Sequence, residues 1–256
     1  MLLSLRKRFS KGFQFDANYT WSHSLDNQST VANTTTAGGL ICDATDLRVC
    51  RGPSDFDIRH LFNLNGIWEL PFGRGHMFGG DAPGWVNTII GGWEITGIFN
   101  ARSGLPFSLA TASWPRTFIF DGANGVPAAL TGDLSVLQAS IHDTPTGIQF
   151  FADPLAVHDP NTGTGVAQYF RHGQAGSRNV LRSQPFWTVD TALLKNFRLP
   201  WSESQRLQIR WESYNLFNHN VFAPPAVIDI GSQNLGQITG VQSTARVMQF
   251  GIRWEF

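Results

Sequence analysis

The chain has 256 residues with 19 Lys+Arg and 19 Asp+Glu, so its formal net charge is zero. That balance excludes a strongly basic nucleic-acid surface and an acidic disordered tail. No run approaches the ~18 apolar residues that a membrane-spanning helix needs. With 15% charged residues, 26 glycines and a mean hydropathy of −0.13, two classes remain. One is a soluble all-β protein. The other is a transmembrane β-barrel, whose alternating strands average to near-neutral hydropathy.

Met1 to Arg8 reads MLLSLRKR, apolar first and basic after, the reverse of a secretory signal. Either the product stays in the cytosol or Met1 is not the true start. A first strand covers Leu2–Phe9. In Phe13–Trp21 the odd positions Phe13, Phe15, Ala17, Tyr19 and Trp21 oppose Gln14, Asp16, Asn18 and Thr20. In Asp55–Leu70 the even positions, from Phe56 to Leu70, are mostly apolar and the odd ones mostly polar. Pro71–Gly92 reads as a widened, glycine-rich turn with a short helical piece near Trp85–Ile90. Further strands follow at Trp93–Ala101, Trp187–Phe197 and Leu207–Phe217. From Thr244 onward the even positions are Arg246, Met248, Phe250, Ile252, Trp254 and Phe256, all apolar apart from Arg246. No segment sustains a 3.6-residue period, so helix is minor.

These segments predict an all-β fold, an antiparallel meander of about seven long strands. Several are 11–16 residues long, against ~5–6 for ordinary globular strands and ~9–11 for a tilted membrane crossing. With Phe256 on the periplasmic side, the periplasmic links are Ser10–Gly12, Pro71–Gly92 and Leu199–Gln205. The external ones are Asp26–Ser54, Gly104–Gln184 and Asn218–Ser243, and all three are long. That asymmetry predicts part of a large transmembrane β-barrel with long extracellular loops. The polar stripe (Asp16, Asn18, Asp57, Arg59, Glu94, Asn100, Arg102, Asp190, Gln208, Arg210, Glu212, Arg253) would line a wet lumen. The apolar stripe would meet outer-membrane lipid, with Tyr19, Trp21, Trp68, Trp93, Trp187, Trp211, Trp254 and Phe256 as membrane-interface aromatics.

Five stretches carry a family resemblance. They are LSLRKRFSKGFQFDANYTWSHSLD (Leu3–Asp26), SDFDIRHLFNLNGIWELPFGRG (Ser54–Gly75), GGWEITGIFNARSGLPFSL (Gly91–Leu109), RLQIRWESYNLFNHNVF (Arg206–Phe222) and ARVMQFGIRWEF (Ala245–Phe256). In them the chain resembles the C-terminal β-barrel of TonB-dependent outer-membrane receptors of the Oar-like group. The ending matches the outer-membrane assembly signal at Gly251, Trp254 and Phe256, which implies the barrel-assembly machinery as a partner. The resemblance implies a 22-stranded barrel around an N-terminal plug, and substrate passage driven by the TonB complex. Residues 1–256 then make up the C-terminal strands, with plug and N-terminal domains absent. In the intact receptor the loops would capture a ligand that the sequence does not identify.

The remaining candidates are weaker. Cys42 and Cys50 are the only cysteines and both fall in the first external loop; a disulfide is expected there, where the surroundings are oxidising. The seven His residues (His23, His60, His76, His142, His158, His172, His219) have no metal-ligand spacing on one strand face. Asp153, Asp159 and Asn161 in ADPLAVHDPNTGTG read as turn chemistry in preference to a calcium loop. Asp55, Asp57 and Arg59 share one face at spacing two, and an ion-pair ladder inside the lumen is preferred over a ligand patch. The residues Phe118, Phe120, Phe150, Phe151, Tyr169 and Phe170 give the Gly104–Gln184 loop enough aromatic surface to pack on itself or on a partner. No catalytic constellation, cofactor motif or metal cluster is recognisable, so no enzyme is expected, and no nucleic-acid partner. Two other functions remain open: a passive pore made by self-association, and a soluble β-sandwich adhesin or lectin module whose Trp residues bind sugar.

Overall fold

Period-two patterning becomes a single antiparallel sheet. The computed structural model describes residues 1–27, 29, 46, 48, 51–111, 126–138, 140–169, 177–198 and 205–256. Its long strands are β1 (Leu2–Ser10), β2 (Phe13–Trp21), β3 (His60–Glu69), β4 (Trp93–Arg102), β5 (Phe186–Arg198), β6 (Arg206–Tyr214) and β7 (Val247–Glu255). They neighbour one another in sequence order. This is the all-β, seven-stranded meander that the alternation predicts.

Register sorts the side chains onto two faces, because partners in an antiparallel pair point the same way. One row runs Leu5, Ala17, Leu64, Phe99 and Val189 across β1 to β5. Another runs Trp68, Ile95, Leu193, Trp211 and Phe250 across β3 to β7. The opposite face carries Ser4, Asn18, Asn63, Asn100 and Thr188 in one row. Arg6 donates to Asp16 at 2.6 Å, Asn18 to Asp16 at 2.5 Å, and Gln208 to Asn196 at 2.9 Å on that side. Arg210 and Gln249 both bond Glu212. Among the described residues, no second sheet packs on the apolar face; Leu3, Leu5, Ile252 and Trp254 are exposed, and Phe250 is 80% exposed. Among the described residues, then, the sheet is not half of a sandwich.

Strand ends differ from the sequence reading where a turn or a polar side chain captures the backbone. β3 starts at His60, not at Asp55, because Asp57 N donates to Ser54 O at 2.9 Å and closes a turn there. β6 stops at Tyr214, before Phe217. Asn215 adopts φ 50°, its amide bonds Asp190 at 2.8 Å, and its side chain bonds Thr244 O at 2.8 Å. The observed strands have 9 to 13 residues, matched to a tilted bilayer crossing.

The six connections divide by end. At one end lie the two-residue turn of Lys11 and Gly12 (φ 54° and 75°), the link 70–92 holding helix α1 (Gly84–Ile90), and the link between β5 and β6. The positive φ pair suits the right-handed strand twist. At the other end lie the three long connections, and there the hydrophobic core sits. Phe107, Leu109, Ala128, Leu137, Phe150, Phe151, Val157, Ala167, Leu181, Ile230, Leu235 and Ile238 form one buried cluster. Phe150 packs edge-on against both Phe107 and Phe151 with centroids 5.1 Å apart. Short pairings stitch this body together, including Gly147–Gln149 between His142–Thr144 and Gln237–Ile238. The long loop thus packs on itself through Phe150 and Phe151 and on the third external loop. Phe118, Phe120 and Phe170 lie outside the described residues.

Candidate functional site

The polar sheet face and the folded loop body meet at the sheet's long-loop end. A short constellation there joins all three loops. Asp57, 1% exposed, sits at its centre. Its carboxylate accepts from Ser24 N at 2.8 Å and from Arg182, and lies 3.1 Å from His23 Nδ1 and 3.7 Å from Arg59 Nε. Arg182 also donates to Asp57 O at 2.8 Å and Gly104 O at 3.1 Å. Burial pushes the Asp57 carboxyl up, but the Ser24 amide, Arg182 and His23 outweigh it and hold it below the usual carboxylate range. It stays an anion.

A second node is Arg178, whose side chain is fully buried. It donates to Asp26 O at 3.0 Å, to the Asp26 carboxylate at 2.5 Å and to Ser29 Oγ at 2.7 Å, and lies 3.6 Å from Asp55. Asn179, held at φ 57°, donates to Pro53 O at 2.8 Å and Asp55 at 2.6 Å. Burial raises Asp26 as well, and the Arg178, Ser54 and Ser29 bonds bring it below its ordinary value. The third loop joins through Arg102, which donates to Gln242 at 2.8 Å, and through the Ala110 amide on Ile228 O at 2.9 Å. Chemically, these groups fix the loops to the strand ends.

This corrects the reading of Asp55, Asp57 and Arg59 as a lumen ladder. The three precede β3; Asp57, buried, and Asp55, half-buried, anchor the second loop through Arg182 and Asn179. The other polar-stripe residues, from Asp16 to Arg253, do lie on the polar face. Arg178, Asn179 and Arg182 escaped the sequence reading. Their one available signal was charge: acidic residues crowd the stems of one loop, while Arg178 and Arg182 close another.

Trp21 and Tyr19 stand at the long-loop end of β2, and Trp187 near that end of β5. Tyr19 Oη bonds His60 Nδ1 at 2.7 Å, and the Trp187 ring stacks on His219 with centroids 3.9 Å apart. Trp68 and Trp93 flank the link 70–92 at the other end. Trp211 falls in mid-strand, opposite Leu193 and Phe250. Gly251 pairs with Arg210 and Trp254 with Leu207, and Phe256 follows the end of β7. Cys42 and Cys50 lie outside the described residues. In the long loop, Asp153 caps the short helix Pro154–Val157 by accepting from Leu155 and Ala156 amides, and Asp159 accepts from Asn161 N at 2.9 Å. Both carboxylates are used in turns. His158 is buried, with Nδ1 2.6 Å from Ala167 O.

One more residue went unnoticed in the sequence. Lys195 shares the apolar face with its partners Trp93 and Ile209. A lysine in the run Trp187, Val189, Leu193, Phe197 breaks the alternation, and that break was the signal.

No curated protein and no solved structure matches this chain. A family model described as "Outer membrane beta barrel domain" matches residues 1–249. The two-faced sheet, the bilayer-length strands and the sorting of loops by length fit that family at every level. The chain belongs to the outer membrane beta barrel domain family and is an outer-membrane β-barrel protein.

Proposed function

We propose that the chain is the C-terminal part of the barrel of a TonB-dependent receptor of the Oar-like group, taking up a ligand across the outer membrane. The observation that carries this reading is the pair of sheet edges. Among the described residues, β1 pairs only with β2 and β7 only with β6. Hydrocarbon offers no hydrogen bonds to an open edge, so these edges call for further strands. A barrel wide enough to hold a plug uses ~22 of them. The ordered loop body supports ligand capture at the external mouth, since rigidly held loops are where binding residues concentrate. The reading assigns transport and no catalysis. Gly251, Trp254 and Phe256 would be read by the assembly machinery, and the Trp rows would sit at the membrane boundaries.

Two measurements test it. An antibody against the loop body should detect, in native outer membranes, a product far larger than 28.3 kDa. That product should cross-link to TonB. A band at the chain's own mass with no TonB adduct overturns the receptor reading. The same open edges favour a second reading, a passive pore closed by self-association. Stable conductance of the purified chain in planar bilayers would select it, and a sealed bilayer would remove it.

A further inference from the structure

The link 70–92 carries more apolar surface than a periplasmic turn needs. Phe72, Phe78 and Ile89 are exposed, and Met77 and Trp85 are 82% and 73% exposed. Trp85 and Ile89 are four residues apart on α1 and share one helix face. The segment is tied, not loose. Gly73 N donates to Phe78 O at 2.8 Å and Phe78 N to Pro71 O at 3.0 Å. The Phe72 and Phe78 rings lie 5.6 Å apart. Asn87 Oδ1 accepts from Arg74 N at 2.6 Å, and Arg74 donates to Ala82 O at 3.2 Å.

Its position follows from two side chains of the apolar sheet face. Lys195 Nζ donates to Ile89 O at 3.0 Å and to Gly91 O. Trp93 Nε1 donates to Ile89 O at 2.9 Å. Both donors project from the lipid-facing side, so the C-terminal end of α1 is drawn to that side and not under the lumen. Lys195 also lies 5.1 Å from the ring centroids of Trp93 and Phe197. A helix end leaves carbonyls without partners, and an ammonium next to hydrocarbon is costly alone. Here each satisfies the other, which suits a place at the membrane boundary.

We propose that the link 70–92 is an interfacial anchor that inserts Trp85, Ile89 and Met77 among the phospholipids of the periplasmic leaflet, with Lys195 holding α1 against the outer wall of the barrel. The sheet end opposite the long loops faces the periplasm in this architecture, and Trp93 and Lys195 of the lipid-facing side bond the end of α1 that carries the patch. Indole side chains favour the zone between headgroups and acyl chains, and an apolar helix face buries itself there. The inference rests on the outer-membrane placement alone and is independent of the receptor reading.

The test uses the full chain in phosphatidylcholine vesicles whose acyl chains carry bromine, a short-range quencher of tryptophan emission. The Trp85 signal is the difference between the parent protein and Trp85→Phe. It should be quenched most by bromines near the glycerol end, and aqueous iodide should leave it bright. Lys195→Met should cost Trp85 its bromine quenching and make it iodide-sensitive, while the remaining tryptophans keep theirs. In a second variant, Met77→Cys in a Cys42→Ser/Cys50→Ser background carries a polarity-sensitive dye, whose emission should shift to the blue. A Trp85 signal quenched by iodide alone overturns the proposal, as does one shielded from both quenchers by protein, or one unmoved by Lys195→Met. Bromine quenching of the other tryptophans reports the embedding of the barrel separately, so the two failures are distinguishable.

Discussion

The sheet and the loop body are built by opposite rules. In the sheet, the large apolar side chains point outward from a single layer and the polar ones face each other across the other surface. In the loop body, Phe150, Phe151, Leu109, Val157, Ile230 and Leu235 are buried and charges such as Asp143 and Asp153 are outside. One chain thus folds for two solvents. Hydrocarbon covers the sheet's apolar face, so backbone pairing and length matter most there. Water surrounds the loops, so they must make a core as any globular domain does. The nodes at Asp57 and Arg178 stand where the two regimes meet.

Substitutions at matched positions should break this contrast or sharpen it. The largest effect is expected for Phe151→Ala. Phe151 is fully buried and packs on Phe150, so its loss should cost the loop body about 3–5 kcal/mol. Limited proteolysis should then nick the loops while the strands stay protected. The inverse experiment is Leu64→Arg, in the middle of the apolar face between Ala17 and Phe99. It should cost about 2–4 kcal/mol in denaturant titrations of vesicle-inserted protein, with loop protection unchanged. Equal damage to both regions by either variant would mean that the two are one cooperative unit.

At the junction, Asp57→Asn keeps the shape and removes the charge. A loss of about 1.5–3 kcal/mol is expected for hydrogen bonds to a charged group, read as faster amide exchange in residues 22–27 and 177–183. Acid probes the same contacts. The carboxyls of Asp57 and Asp26 lie below their ordinary values in the folded protein. They therefore stabilise the loop body above the unfolded carboxylate pKa of about 3.9, and that stabilisation is lost as pH falls through the depressed folded values. Loop proteolysis should rise only below about pH 4, and in Asp57→Asn that acid-induced step should shrink. The smallest effect is expected at Phe250→Leu. Phe250 is an outward residue of β7, and lipid solvates leucine as well as phenylalanine, so the change should stay within about 0.5 kcal/mol.

The strands were legible because a two-sided sheet writes its faces directly into alternate residues, as in Phe13, Phe15, Ala17, Tyr19 and Trp21. Their ends were less so. Asp55 and Phe56 keep the alternation of β3, yet the Asp57–Ser54 turn takes them out of the sheet, and Asn215 ends β6 while Phe217 still looks periodic. Helix α1 was visible as a pattern between glycines, but its attachment to the lipid-facing side was not, because Lys195 lies more than a hundred residues away in sequence. The loop body was the least legible region. Its strands are two or three residues long, too short for any period to register.

By itself, the sequence determined that this is a β-structure with one apolar and one polar surface, in strands long enough to cross a bilayer. Period two in side-chain direction is a local property of extended backbone, so no distant contact is needed to read it. Tertiary structure alone decided that the second and third long loops share one core, that Asp57 and Arg178 are buried anchors, and that Lys195 reaches the end of α1. Those pairings join residues remote in sequence, and they are selected by the burial and charge compensation that exist once the strands stand side by side.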